Sequence, residues 1–172
     1  MKQAIPGRKR VAILFNPDHP TAEPARAALG RTARSAGVAL QMVDARGLAD
    51  FDGAIAAATR ARAEALAVYA SPLFFFNQLQ IAELSSRARL PAIAAWRQFP
   101  ESGGLMSYGV SVPAMYRRAA VQVDKILRGA RPADVPVEQA TTIEFVVNLK
   151  TARALGLTIP QSVLLQADQI IE

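Results

Sequence analysis

Only one histidine, His19, and no cysteine stand in this 172-residue sequence, and those two facts bound its covalent chemistry. Without cysteine there is no disulfide, thiolate metal site or thiol nucleophile. A histidine-rich metal site cannot be built from one imidazole. A Ser-His-Asp triad through His19 would need its serine on a G-x-S-x-G turn, and the sequence has none. Asp18 is a fair polar contact, but no second carboxylate lies close enough in sequence for paired acid–base work. Gly103-Gly104 followed by Gly109 has neither the spacing nor the helix start of a phosphate loop. The chain is therefore expected to bind without catalysing, and to need neither cofactor nor metal.

The residue types that remain suit recognition of a small polar molecule. Four loops carry them: Asn16-Pro17-Asp18-His19, Asp44-Ala45-Arg46, Ser71 with Phe74-Phe75-Phe76-Asn77, and Trp96-Arg97-Gln98. Aromatic faces mixed with a few polar groups are what a small ligand pocket offers. Ser71 begins a helix, so its hydroxyl and the free amides beyond it suit a carboxylate; the competing reading is a plain N-cap. Successive helical residues turn by about 100°, so Phe74, Phe75 and Phe76 cannot all face a core. At least one is left for solvent, ligand or partner. Trp96 closes a strand and reads equally as core or site, and His19 between two prolines reads as an exposed loop residue.

The elements that place these loops alternate strand and helix. Val11–Phe15 is an apolar run ended by turn formers, and Val38–Val43, Leu66–Tyr69 and Pro91–Trp96 repeat the pattern. Helices are expected from Thr21 to Ala36 with Gly37 as its cap, from Asp50 to Ala63, and from Ser71 to about Arg89. Runs apolar on both faces suit parallel strands covered on each side. A short strand between Gly103 and Gly109 follows, then an amphipathic helix over Val112–Arg128 with Val112, Met115, Tyr116, Ala119, Val123, Ile126 and Leu127 on one stripe. Ile143–Leu149 reads as the last strand, with helices over Thr151–Leu155 and Ser162–Glu172 closing the chain. The fold class is α/β, an open and mostly parallel sheet with helices on both faces, whose ligands sit beyond the C-terminal strand ends.

Hydrophobic residues make up 51% and charged residues 20%, a globular balance. The net charge of +6 is carried by thinly spread arginines without interleaved aromatics, so no nucleic-acid partner is expected. No run approaches the roughly 18 apolar residues of a membrane span. The start, Met1 to Arg10, is basic but lacks a following apolar run of signal length, so the chain as written is expected to stay in the cytoplasm.

Several segments resemble the substrate-binding proteins of ABC transporters, of the type found beside tryptophan- and tyrosine-like import systems. They are Ser71-Pro72-Leu73-Phe74-Phe75-Phe76-Asn77-Gln78, Arg89-Leu90-Pro91-Ala92-Ile93 and Gly103-Gly104-Leu105-Met106-Ser107-Tyr108-Gly109. Tyr116–Ala120, Val123–Gly129, Pro132–Gln139 and Asn148–Leu157 continue the likeness in the same order. The resemblance implies one lobe of a type I periplasmic-binding clamshell plus crossover segments, a small amino-acid-like ligand in the cleft, an ABC permease as partner, and a periplasmic setting. It implies that Asn16, Asp18, Ser71 and Trp96 face the cleft from the second lobe, and Ser107 and Tyr108 from a first-lobe segment. With Phe74 and Asn77 from the third loop, these make the candidate ligand contacts.

The same resemblance divides the chain into 1–104 as a second-lobe domain, 105–141 as a segment returning to the first lobe, and 142–172 as a return to the second. The family's N-terminal lobe is not in this sequence, so the Val112–Arg128 stripe lacks its expected cover. Exchange or pairing through Leu105–Arg128 is expected to give a homodimer, with Arg97–Gly104 and Ala130–Thr142 as hinges. An intracellular ligand-sensing module of the same fold, a non-binding fragment, and an enzyme on a flavodoxin-like sheet are the alternatives.

Overall fold

A computed structural model describes Ile5, Gly7 and residues 9–172; the basic start read for its lack of a leader lies largely outside them. One seven-stranded sheet organises the chain, in the order β2-β1-β3-β4-β5-β6-β7. The strands are β1 (Arg10–Phe15), β2 (Ala39–Asp44), β3 (Ala65–Val68), β4 (Ala92–Ala94), β5 (Met106–Val110), β6 (Ile143–Asn148) and β7 (Gln169–Ile171). The helices are α1 (Ala22–Ser35), α2 (Phe51–Arg60), α3 (Pro72–Phe76), α4 (Gln78–Arg87), α5 (Gln98–Glu101), α6 (Val112–Leu127), α7 (Leu149–Ala154) and α8 (Gln161–Leu164). The first four strands are parallel neighbours, as their apolar runs and intervening helices require.

Strand alternation sorts the core onto two faces. Ala12, Leu14, Leu66 and Val68 point to the side covered by α2 and α4, where Phe51, Ile55, Phe74 and Ile81 are buried. Ile13 and Phe15 point to the other side, against Ala22, Ala25 and Leu29 of α1. A third cluster on that side joins Leu105 and Met106 to Val147, Ala152, Ile159 and Val163. The chain order reverses at β1, which has β2 on one flank and β3 on the other. This is the switch point beside which ligands of open α/β sheets bind.

β5 and β6 form the antiparallel pair. The chain leaves the sheet after Val110 and re-enters at Ile143 on the same edge, where the Ser111 amide donates to the Thr142 carbonyl at 2.9 Å. A chain that exits and returns at one edge must run backwards on return. Residues 111–142 between these points form an arm made of α6 and an extended strap, and no residue of α6 is buried.

Three sequence expectations need correction. The helix expected from Ser71 to Arg89 is broken at Asn77, where the side-chain amide donates to the Leu73 carbonyl at 2.7 Å and replaces the helical register. The strand expected over Pro91–Trp96 stops at Ala94, because Trp96 turns the chain and its carbonyl accepts from the Phe99 amide to start α5. The final helix ends at Leu164. The Asp168 carboxylate takes the Phe145 amide at 2.7 Å, and the β-branched pair after Gln169 joins the sheet as β7. The sheet continues beyond residue 104, where β5 pairs with β4.

Candidate functional site

The loops leaving the C-terminal ends of β3 and β4, one strand along from the switch point at β1, surround a hollow of about 420 Å³ lined by Ala70, Ser71, Pro72, Phe75, Phe76 and Trp96. Its walls are aromatic because the turn after β3 starts a five-residue helix on the sheet edge. Pro72 at the first helical position fixes the entry. The 100° step between neighbours then sends Phe74 into the core, leaves Phe75 half-buried and holds Phe76 at 80% exposure. Phe75 meets Trp96 edge-on at 5.6 Å between ring centres, and Trp96 meets Phe99 at 6.4 Å. The Trp96 indole N–H donates to Gln78 Oε1 at 2.8 Å, which fixes the ring as a rigid wall.

Ser71 supplies the polar group in this wall. Its backbone is extended, its hydroxyl caps no helix amide, and Oγ is buried without a hydrogen-bond partner. The N-cap reading therefore fails as far as the side chain is concerned. Buried hydroxyls are nearly always paired, and this one borders the hollow without a partner.

On the neighbouring edge the Phe15 and Tyr69 rings meet tilted at 44° with centres 5.0 Å apart, and Arg26 lies 4.9 Å over the Phe15 ring while its guanidinium meets Asp44 at 3.1 Å. His19 is half-buried, with Nδ1 2.9 Å from Thr21 Oγ1 and its ring edge-on to Tyr69. It is thus packed into the loop rather than standing free in solvent.

The other expected contacts divide. Asn16 Oδ1 accepts from the Asp18 amide at 3.0 Å, which makes it a turn former. Asp18 pairs with Arg46 at 3.4 Å in an exposed position. Phe74 has no exposed surface and packs on Phe51 at 5.9 Å, so it is core and not a ligand contact. Asn77 spends its amide nitrogen on Leu73. Ser107 is buried within β5 with an unpartnered Oγ, and Tyr108 beside it is 61% exposed with its ring 6.0 Å from Phe145. Of the expected set, Ser71 and Trp96 line the hollow. Phe75 and Phe76 line it as well, and neither was in the expected set. The Phe74–Phe76 run announced that one ring must leave the core, but its phase depends on how α3 meets the sheet.

A second cavity, of about 560 Å³, lies at the opposite edge among Glu83, Arg87 and Lys150. It has no aromatic wall and sits away from the switch point. Among the described residues no helix is long and apolar enough to cross a membrane.

The open, mostly parallel α/β sheet with a hollow beyond its C-terminal strand ends is the fold shared with the solved structures it superposes on. The model of the ABC transporter substrate binding protein family matches residues 1–171, and the chain belongs to that family. No curated protein matches the sequence. Among solved structures, a conserved domain protein from Vibrio cholerae superposes with a TM-score of 0.89 at 24% identity, covering 98% of this chain and 57% of its own. The ABC domain in complex with L-Trp from Streptococcus pneumonia gives 0.86 at 23% identity, covering 99% and 59%. A ligand-free, open substrate binding protein with adhesive properties from Clostridium difficile gives 0.74 at 19%, covering 99% and 57%. The chain thus spans under two thirds of the length of each.

Proposed function

We propose that this chain supplies one wall of the ligand cleft in the solute-binding component of an ABC importer, working outside the cytoplasmic membrane with an ABC permease. The ligand is a small amino-acid-like molecule with a flat apolar side chain. The observation that carries this reading is the hollow itself: aromatic walls from Phe75, Phe76 and Trp96 around the unpartnered hydroxyl of Ser71. An aromatic ring packs edge-on or offset against such walls, and a carboxylate or ammonium group meets the hydroxyl. The L-Trp complex of the Streptococcus relative agrees with that chemistry.

The arm, residues 111–142, belongs in this reading to the other lobe. Val112, Tyr116, Ala119, Val123 and Ile126 repeat at spacings of four and three, the seam of a helix packed along a partner. In a chain that carries both lobes the first lobe covers this seam and Tyr108 faces the cleft from that side. In the 172-residue chain a second copy covers it through Leu105–Arg128, giving a symmetric dimer. The reading is favoured by the exposure of Tyr116 at 74% and Leu127 at 80% on a helix with no buried residue.

Thermal unfolding of the chain with L-tryptophan, L-tyrosine, L-leucine, a hexose and zinc tests the ligand class. Ligand at a hundred times its Kd adds about 2.7 kcal/mol, several degrees of Tm for a domain of this size. The aromatic amino acids raise Tm, and Phe75→Ala and Ser71→Ala reduce the rise. With both lobes present the affinity reaches micromolar, about 8 kcal/mol. Stabilisation by the hexose or zinc alone overturns the reading.

A further inference from the structure

Among the described residues, the arm's side chains meet the lobe at one polar joint. At its base the Ser111 amide bonds the Thr142 carbonyl, and the Ser111 hydroxyl, itself 2% exposed, donates to Glu144 Oε1 at 2.6 Å. The same oxygen of Ser111 accepts from the Ala114 amide, the N-cap of α6. The other Glu144 oxygen lies 3.9 Å from Arg97 Nη1. Arg97 Nη2 donates to Gln169 Oε1 at 2.6 Å and lies 3.6 Å from Glu101. Arg97 directly follows Trp96, the rigid wall of the hollow.

We propose that Glu144 is a positioning residue which, with Ser111 and Arg97, sets the direction of the arm relative to the hollow. Three features converge on this. Glu144 bonds the first residue of the arm and faces the cation of the turn that holds Trp96, so one side chain spans the two parts that must move together or apart. The backbone beneath is closely packed: a Cβ on Gly109 would lie 1.8 Å from the Ala95 carbonyl oxygen, so the ends of β4 and β5 are held in register. Among the described residues, the side-chain hydrogen bonds of α6 otherwise stay within the helix and its C-cap or reach the strap, through Arg118 and Gln122 to Glu138. The direction of the arm is therefore decided at the joint. In a two-lobed protein such a joint is where small rotations at a ligand wall become large displacements of the opposite lobe. The joint stands on this geometry whatever the ligand.

The absence of cysteine makes the test direct. Nitroxides on Ala61→Cys in the lobe and Arg117→Cys on the polar side of α6, both exposed positions, report the arm direction by pulsed electron resonance in dilute, ligand-free protein. The parent gives one narrow distance distribution. Glu144→Ala roughly doubles its width, as expected when a hinge loses its stop. Glu144→Gln, which keeps an acceptor for Ser111, restores most of the narrow distribution. Arg97→Met shifts its centre. Amide exchange of β1 to β4 stays at the parent level in each, which separates a loosened joint from a loosened lobe. If Glu144→Ala unfolds the lobe, Glu144→Gln and Arg97→Met carry the test. An unchanged distribution in a folded Glu144→Ala protein, or a parent distribution already broad, overturns the proposal. Failure of the ligand screen above leaves it standing.

Discussion

Helices α4 and α6 are both amphipathic, yet α4 buries Ile81, Ala82, Leu84 and Ser85, while α6 buries nothing. The apolar residues of α4 meet Phe51 and Ile55 of α2 and the near face of the sheet. Among the described residues none of α6 is buried, and the strap borders it at Met115, Arg118, Ala119 and Gln122. An apolar stripe thus specifies a helix in both cases and its cover in only one. For α4 the cover lies within the chain; for α6 the function proposed above takes it from another lobe or another copy. Each large apolar side chain that α6 leaves in water forgoes roughly 1.5–3 kcal/mol.

Matched truncations on the two helices give the largest contrast. Ile81→Ala should cost about 2–5 kcal/mol, since Ile81 is fully buried. Val123→Ala should stay within about 0.5 kcal/mol in the monomer. Equal losses in denaturant titrations would break the comparison.

Gly109→Ala comes next. The added methyl meets the Ala95 carbonyl, so β5 must separate from the turn that holds Trp96. A loss of about 1–3 kcal/mol with changed tryptophan fluorescence is expected. An unchanged Tm and spectrum would show that the two strand ends are loosely joined.

Ser111→Ala removes the cap of α6 and the partner of Glu144. A loss of about 1 kcal/mol is expected, confined to the arm, where amide exchange of α6 accelerates while that of α4 does not. Loss spread evenly over both helices would contradict a separately held arm.

Acid should act on the arm through Glu138. The Arg118 guanidinium bonded to it holds this carboxyl below its ordinary value of 4.5, and the Arg118 pKa is raised in turn, chiefly by the same hydrogen bond. A carboxylate with a lowered folded pKa contributes its stabilisation in full above the ordinary value and loses it as pH falls through the lowered one. The strap should therefore stay on α6 down through pH 4.5 and release below it, with Glu138→Gln released at neutral pH. Exchange of residues 136–142 followed against pH reports this. Release on raising the pH would contradict the pairing.

The smallest effect lies in the lobe. Arg62 follows α2 with a φ of 56°, a left-handed position that glycine takes without a Cβ clash. Arg62→Gly should gain up to about 1 kcal/mol. Its backbone carbonyl keeps the bond from Arg10 Nε, so no contact of the sheet edge is lost.

The first four strands were legible because each is a short apolar run bounded by turn formers, and such runs have few alternatives when helices separate them. Ser71 and Trp96 were legible as loop residues at strand ends, the places where open sheets bind ligands. Phe74 was not, since the choice among three phenylalanines depends on the phase at which α3 meets the sheet. The break at Asn77 and the strand after Gln169 each turn on one polar side chain, Asn77 on Leu73 and Asp168 on Phe145. Periodicity carries no signal for a bond of that kind. The stripe of α6 was read correctly as a stripe, but its bareness is a property of what stands opposite, which no local pattern encodes.

The central claim is that the seam of α6 waits for a partner while the lobe is complete without one. Amide exchange of the 172-residue chain, read with light scattering on the same samples over a range of concentrations, tests it most directly. The account predicts that at monomer mass α6 exchanges fast while α2 and α4 stay protected, and that protection of α6 rises only as the mass doubles. Protection of α6 equal to that of α4 at monomer mass would contradict it.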